Sequence, residues 1–198
     1  RTGVRLIGPV PTWARPDGGE AGLHPSNIHD NAYAVGSIDF TGDMPIVLGP
    51  DGPSLGGFVC PATVAAAEQW KLGQLRAGDR VRFVPLTHDE ARAAGTHASR
   101  GRRQPEDPVL SRLDGGDGRP AVVYRRSGDR HLLVEYGDNV LDLALRLRVG
   151  ALMEQLEAEA PAGLGQLVPG IRSLQVGFDP DRTDPGRLVD ALREVERG

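Results

Sequence analysis

The 198-residue chain is 39% hydrophobic and 25% charged, an ordinary globular composition, and its formal net charge of −4 gives it no general affinity for nucleic acid or an anionic membrane. No apolar run approaches the roughly 20 residues that cross a bilayer, and the single cysteine, Cys60, excludes an internal disulfide and fits a reducing, cytoplasmic compartment. The length accommodates one domain or two small ones, and 27 glycines with 16 prolines predict many turns and short elements.

In chain order, "VRLIG" (4–8) predicts a short strand stopped by Gly8-Pro9, and 11–23 reads as a loop from its Pro, Asp and Gly content. "NAYAVGSIDF" (31–40) reads as one strand with both faces covered, because apolar residues occupy both phases. "MPIVLG" (44–49) is a second buried strand, "PDGPSLGG" (50–57) the densest turn signal, and "FVCPATV" (58–64) an extended continuation. Val64, Ala67 and Trp70 predict a helix over 63–75. Val81, Phe83 and Leu86 alternate against Arg80 and Arg82, which predicts a hairpin strand over 77–86 with one wet face. Residues 88–119 lack a sustained period and read as a linker, apart from a short helix near 87–94 capped by Thr87. Their "RGRR" (100–103) reads as a solvated charged segment before it reads as an anion grip.

From 120 onward the pattern changes. Strands at 121–126 and 131–136 flank an "SGD" turn. A helix of about five turns follows, capped by Asp138 or Asn139, with Leu141, Ala144 or Leu145, Leu152 and Leu156 as its stripe. Strands near 165–169 and 171–178 bend at Pro169-Gly170, and a final amphipathic helix is capped by Thr183 or Asp184 with Leu188, Leu192 and Val195 facing inward. The expected fold is therefore a β-rich module (1–87), a linker (88–119) and a small α+β module (120–198) of order β-β-α-β-β-α.

The chemistry concentrates in "HPSNIHDNAYAVGSIDFTGD" (24–43). His24, His29 and Asp30 have the spacing of two imidazoles and a carboxylate. That set suits a metal ion in kind, but the spacing is not a standard ligand pattern and Cys60 has no partner, so no metal is expected. A metal-free site is the alternative, with His29 beside Asp30 as an acid–base pair and Ser26 and Asn27 as hydrogen-bonding groups. Turn capping by Ser26, Asn27 and Asp30 explains each residue singly, yet turns do not need two histidines and so many amides together. In "PDGPSLGGF", Gly56 and Gly57 permit close backbone approach to an anion, although no GKS or GKT follows as in a P-loop. Asp43 and Asp51 either brace turns or meet substrate. Asp129, Arg130, His131 and Arg172 suit a partner-facing surface.

Residues 3–87, "…RPDGGEAGLHPSNIHDNAYAVGSIDFTGDMPIVLGPDGPSLGGFVCPATVAAAEQWKLGQLRAGDRVRFVPL", resemble the carboxyltransferase region of biotin-dependent urea carboxylases. "YRRSGDRHLLVEYGD…LDLALRLRVGAL…LVPGIRSLQVGFDP" is similar to the start of the adjoining half of the same region; the two halves also occur as subunits of 5-oxoprolinase, older described as allophanate hydrolase subunits 2 and 1. The resemblance implies part of a cyclophilin-like barrel in the first half and a small α+β domain in the second. It implies transfer of a carboxyl group from carboxybiotin to urea, with biotin on a separate carrier domain and ATP and Mg used by a separate biotin carboxylase domain. Those domains, the remainder of the carboxyltransferase region and a small amide substrate are the implied partners. His24, His29 and Asp30 are the expected catalytic groups. Ser26, Asn27, Tyr33, Asp43, Asp51, Ser54, Gly56 and Gly57 are the expected substrate-binding set. Because the chain carries neither a biotin carboxylase module nor a Met-Lys-Met carrier motif, it reads as a fragment, inactive alone. A 5-oxoprolinase-like amidohydrolase component and a non-catalytic partner-binding module are the competing readings.

Overall fold

The computed structural model describes residues 2–93 and 106–197; the "RGRR" cluster lies outside the described residues. In the first module the strands are β1 (Gly3–Arg5), β2 (Asn27–Ala32), β3 (Ser37–Thr41), β4 (Met44–Leu48), β5 (Leu55–Phe58) and β6 (Ala62–Thr63). They form an antiparallel sheet of order β1-β4-β3-β6 and a separate β2-β5 pair, and the described residues close no barrel. Gly42, at φ +65°, is the first residue of the two-residue turn that joins β3 to β4, where a positive φ suits the twist of a hairpin.

Three expectations for this module are corrected. The single strand over 31–40 is two strands in different sheets, because Gly36 at φ +88° and a Ser37 N–H to Ala34 carbonyl bond turn the chain between them. Alternation alone does not report such a bend when both flanks are apolar. The helix over 63–75 is a 3-10 segment at Ala66–Gln74 that leaves Trp70 65% exposed. Val64, Ala67 and Trp70 recur every three residues, which is the 3-10 period. The strand over 77–86 has no ladder partner among the described residues, and Val81, Phe83 and Val84 stand exposed. An alternating pattern becomes a strand only where an edge is available to pair with it.

In the second module the elements are α1 (His88–Arg92), β7 (Val109–Leu113), β8 (Val122–Arg126), β9 (His131–Tyr136), α2 (Leu143–Glu159), β10 (Leu164–Pro169), β11 (Ser173–Phe178) and α3 (Pro185–Arg197). Thr87 caps α1 with a full capping box from Glu90, as its position predicts. The five strands form one antiparallel sheet of order β10-β11-β9-β8-β7. The expected β-β-α-β-β-α order thus gains β7, an edge strand inside the segment read as a linker. Its few apolar residues suffice because an edge strand is paired on one side only.

The helices cover one face of this sheet. Leu132, Val134 and Tyr136 of β9 and Leu174, Val176 and Phe178 of β11 share a core with Leu145, Val149, Leu152 and Leu156 of α2 and Leu188 and Leu192 of α3. α2 starts later than expected: Asp142 Oδ1 accepts the Ala144 N–H at 2.8 Å, and Leu141, expected in the stripe, is 62% exposed. Asp184 caps α3 by accepting the Gly186 N–H at 2.8 Å. Every residue of β11 is buried. Leu174, Val176 and Phe178 point to the helices, so Ser173, Gln175 and Gly177 point the other way, where Gln175 meets the Tyr33 carbonyl of the first module.

These placements order three substitutions by cost. Leu156→Ala removes a fully buried side chain and is expected to cost about 2–5 kcal/mol. Asp142→Ala is expected to cost about 1 kcal/mol as a lost cap, and Leu141→Ala less than about 0.5 kcal/mol as a surface change. Urea denaturation midpoints at constant slope check the order; Leu141→Ala costing as much as Asp142→Ala would restore the earlier helix start.

Candidate functional site

The polar stretch does not gather around one cavity. His24 lies before β2. Its Nδ1 sits 2.9 Å from Ser26 Oγ and accepts the Ser26 N–H at 3.1 Å. An accepting Nδ1 carries no proton, so the proton resides on Nε2, 3.5 Å from Asp43 Oδ1. Trp13 Nε1–H donates to the same carboxylate oxygen at 2.9 Å, and the Trp13 ring meets His24 edge-on at 5.5 Å. Ser26 is fully buried, and its Oγ also accepts the Gly42 N–H at 3.2 Å. His24 and Ser26 are therefore hydrogen-bonded, with the Asp43 carboxylate facing His24, because the β3–β4 hairpin turn folds back over the start of β2.

The rest of the set is dispersed. His29 Nε2 lies 3.7 Å from the exposed Glu20 carboxylate, while the histidine side chain is largely buried. Asp30 points to the second module, where its Oδ2 accepts the Ile171 N–H at 2.6 Å. Asn27 packs its side chain against Gly18 and Gly22, and its carbonyl accepts from the Arg15 guanidinium. Ser54 offers its carbonyl to the Tyr33 N–H at 2.8 Å, and Asp51 sits exposed in the adjoining turn. His29 and Asp30, expected as a pair, have partners on different parts of the molecule.

A cleft of about 390 Å³ opens between the four-stranded sheet and the β2-β5 pair. Of the predicted residues it takes Tyr33, Gly56 and Gly57; its walls are apolar (Ile46, Leu48, Leu55, Phe58), and Arg5, Asp39 and Thr41 add polar groups. The Tyr33 hydroxyl accepts the Phe58 N–H at 2.8 Å and faces the Phe58 carbonyl at 3.2 Å. Its ring lies so close to Gly56 that a Cβ there would sit 2.4 Å from ring carbon Cε2. Gly56 is thus required by an aromatic ring, whatever else meets it. Burial pushes the Tyr33 phenol far above its usual range, so it stays protonated.

Asp39 was not singled out in the sequence. It is 4% exposed, and burial raises its carboxyl above the usual range, opposed by the Thr41 hydroxyl, which donates to Oδ1 at 3.0 Å. The available signal was an acid flanked by apolar residues in "SIDF", a position that alternation assigned to a covered face. Nearby, burial and the Asp39 charge push the Cys60 thiol up to about 12, so it is held as an inert thiol. Among the described residues no group of three or more His, Cys, Asp or Glu side chains is placed to hold a metal ion, and no helix is long and apolar enough to cross a membrane.

The fold, two β-rich layers followed by a helix-backed sheet, is that of a carboxyltransferase. The family model for "Carboxyltransferase domain, subdomain A and B" matches residues 1–85, and that for "Carboxyltransferase domain, subdomain C and D" matches 122–198. The chain belongs to the carboxyltransferase domain family. Over 99% of its length it is 44% identical to the urea amidolyase of Lachancea kluyveri and 40% identical to that of Saccharomyces cerevisiae. The crystal structure of the Kluyveromyces lactis urea carboxylase superposes on the whole chain with a TM-score of 0.91 at 44% identity, using 19% of that chain. The chain spans 12% of the length of the two urea amidolyases.

The buried Asp39 carboxyl predicts a pH signature. Its folded pKa is raised, so the native state binds the proton more readily than the unfolded chain does. Its contribution to stability is present below the unfolded carboxylate value and is lost as pH rises through the folded value. Asp39→Asn is therefore expected to melt higher than the wild type at pH 7, with the gain shrinking towards pH 4. Melting curves across that range check it; an offset independent of pH would contradict it.

Proposed function

We propose that the chain is part of the carboxyltransferase component of a urea carboxylase, which moves a carboxyl group from carboxybiotin to urea to give allophanate. The observation that carries this reading is the succession of two carboxyltransferase models along one chain, in a sequence 44% identical to a urea amidolyase across its length. In this reading residues 1–87 are the C-terminal part of the first, barrel-type half. Residues 120–198 open the second half, and 88–119 connect them. The biotin would arrive on a carrier domain after a biotin carboxylase domain had used ATP and Mg. These domains and the rest of the carboxyltransferase region are the proposed partners, in the cytoplasm.

When bound, carboxybiotin supplies an activated carboxyl group. The chain's own task is to hold a small planar amide, exclude water and manage one proton. The cleft fits such a ligand in size and in donor set: apolar walls, a buried Asp39 carboxyl to pair with an amide, and Arg5 at the rim to attract a carboxylate. Gly57, without a side chain, leaves backbone accessible at that wall. Neither His24 nor His29 lines the cleft itself; of the two, His24 is the proposed proton carrier, since Ser26 fixes its tautomer and Asp43 faces its Nε2. Asn27 offers its side chain only if the Gly18–Gly22 loop moves, because it is packed against both glycines.

In the intact protein, His24→Gln and Asp39→Ala are each expected to lower urea-dependent carboxylation of labelled bicarbonate by about 10²-fold or more. Bicarbonate-dependent ATP cleavage in the absence of urea should stay unchanged. Full turnover in both variants would refute the assignment of these groups. Wild-type protein that opens a cyclic amide, and leaves urea untouched, would replace the reading with a ring-opening hydrolase.

A further inference from the structure

The unassigned feature with most support is the contact between the two modules, and Asp30 is at its end. β11 is buried on both faces. Its helix-facing residues belong to the core, and its other face carries Ser173, Gln175 and Gly177. The first module meets the second at three points, on that face and in the turns beside it. At one end, Asp30 Oδ2 accepts the Ile171 N–H at 2.6 Å, in the turn that joins β10 to β11. Midway, Gln175 Nε2–H donates to the Tyr33 carbonyl at 3.4 Å. At the opposite end, where His131 pairs with Gly177, the Asp129 carboxylate accepts the Ala66 N–H with both oxygens at 3.1 Å. Each module thus sends one carboxylate to a backbone N–H of the other.

The turn is shaped around Asp30. A Cβ on Gly170 would lie 2.0 Å from Asp30 Oδ2, so the residue there must be glycine for the carboxylate to seat. The turn itself is held by hydrogen bonds. Gly170 N–H donates to the Ser173 carbonyl at 2.7 Å, and the Arg172 guanidinium bonds Glu135 at 2.9 Å. A carboxylate held at one fixed N–H against such a turn determines how far β2 lies along β11. His24 and the cleft residues Tyr33 and Gly56 are carried by β2, its flanks and its partner β5.

Resting on the carboxyl-transfer reading above, we propose that Asp30 is a positioning residue: by seating on the Pro169–Ser173 turn it sets the alignment of the first module's site against the second module. It acts as a hydrogen-bond acceptor at a fixed place, not as an acid, base or substrate ligand. The Gly170 contact belongs to the same device.

The test uses the intact protein with biotin and carries out four variants: Asp30→Ala, Asp30→Asn, Gly170→Ala and, as a surface control, Leu141→Ala. Asp30→Ala and Gly170→Ala are expected to lower kcat for urea-dependent carboxylation by about 10²-fold, as misalignment of about 1 Å does. The KM for urea and the urea-independent, bicarbonate-dependent ATP cleavage should change less than about threefold. Asp30→Asn keeps an acceptor oxygen and is expected to recover most of the lost kcat, which a role needing the charge or the proton would not allow. Wild-type kcat in Asp30→Ala, or Asp30→Asn as slow as Asp30→Ala, overturns the proposal. A loss of kcat that merely follows a loss of folded protein, read by its melting curve, also overturns it. If the wild type itself shows ATP cleavage but no urea-dependent turnover, the carboxyl-transfer reading fails instead, and the positioning role falls with it.

Discussion

A strand with no free face is the constraint on which this structure turns. β11 presents Leu174, Val176 and Phe178 to two helices, and on its other face Gln175 to another module. The first face is closed by apolar burial, which is strong and undirected. The second is closed by a few hydrogen bonds between buried or half-buried partners, each weak in net terms but costly to leave unmade. Apolar contact fixes that the layers meet; the polar contacts fix where. The Asp30–Ile171, Gln175–Tyr33 and Asp129–Ala66 bonds come from the β10–β11 turn, β11 itself and the β8–β9 turn, so a slide of one module past the other breaks all three together.

This arrangement gives the crowded stretch at 24–43 several duties at once. Its first part makes a histidine whose tautomer is fixed by Ser26 and whose proton faces Asp43. Asp30 leaves the module altogether to engage its neighbour. Tyr33 spends its hydroxyl on Phe58 and its ring on Gly56, holding the wall of the cleft. Asp39 brings a carboxyl that burial holds above the usual carboxylate range. One short piece of chain therefore sets a histidine of fixed tautomer, a cleft wall and the docking contact, which is why its composition departs so far from that of an ordinary turn.

The second module was largely legible in the sequence. Its strands alternate, its helices have stripes at helical spacing, and Thr87, Asp184 and Pro185 stand where helix starts need them. The errors there were of extent: Asp142 rather than Asp138 or Asn139 caps α2, and β7 was hidden in a polar segment with only three large apolar residues. The first module was less legible because its strands are short and several turn on glycine. Gly36 divides a stretch that reads as continuous, and the 77–86 alternation finds no edge among the described residues. The polar stretch at 24–43 stands out by residue type, but its division between two sheets does not. Whether a carboxylate such as Asp30 faces a substrate or a backbone N–H 141 residues away depends on tertiary contact, and periodicity holds no record of that. Asp39 is legible only in part: alternation places it on a covered face, but what covers it depends on where the opposing sheet lies.

Amide hydrogen exchange at Ile171 in the intact protein tests the central claim, that a carboxylate from one module is fixed on a backbone N–H of the other. The account has this turn amide protected well beyond an exposed turn amide in the wild type. Replacing Asp30 by alanine should release it by at least tenfold while amides in the α2-covered core stay as they were. An Ile171 amide that already exchanges at the rate of an unstructured turn in the wild type would contradict it.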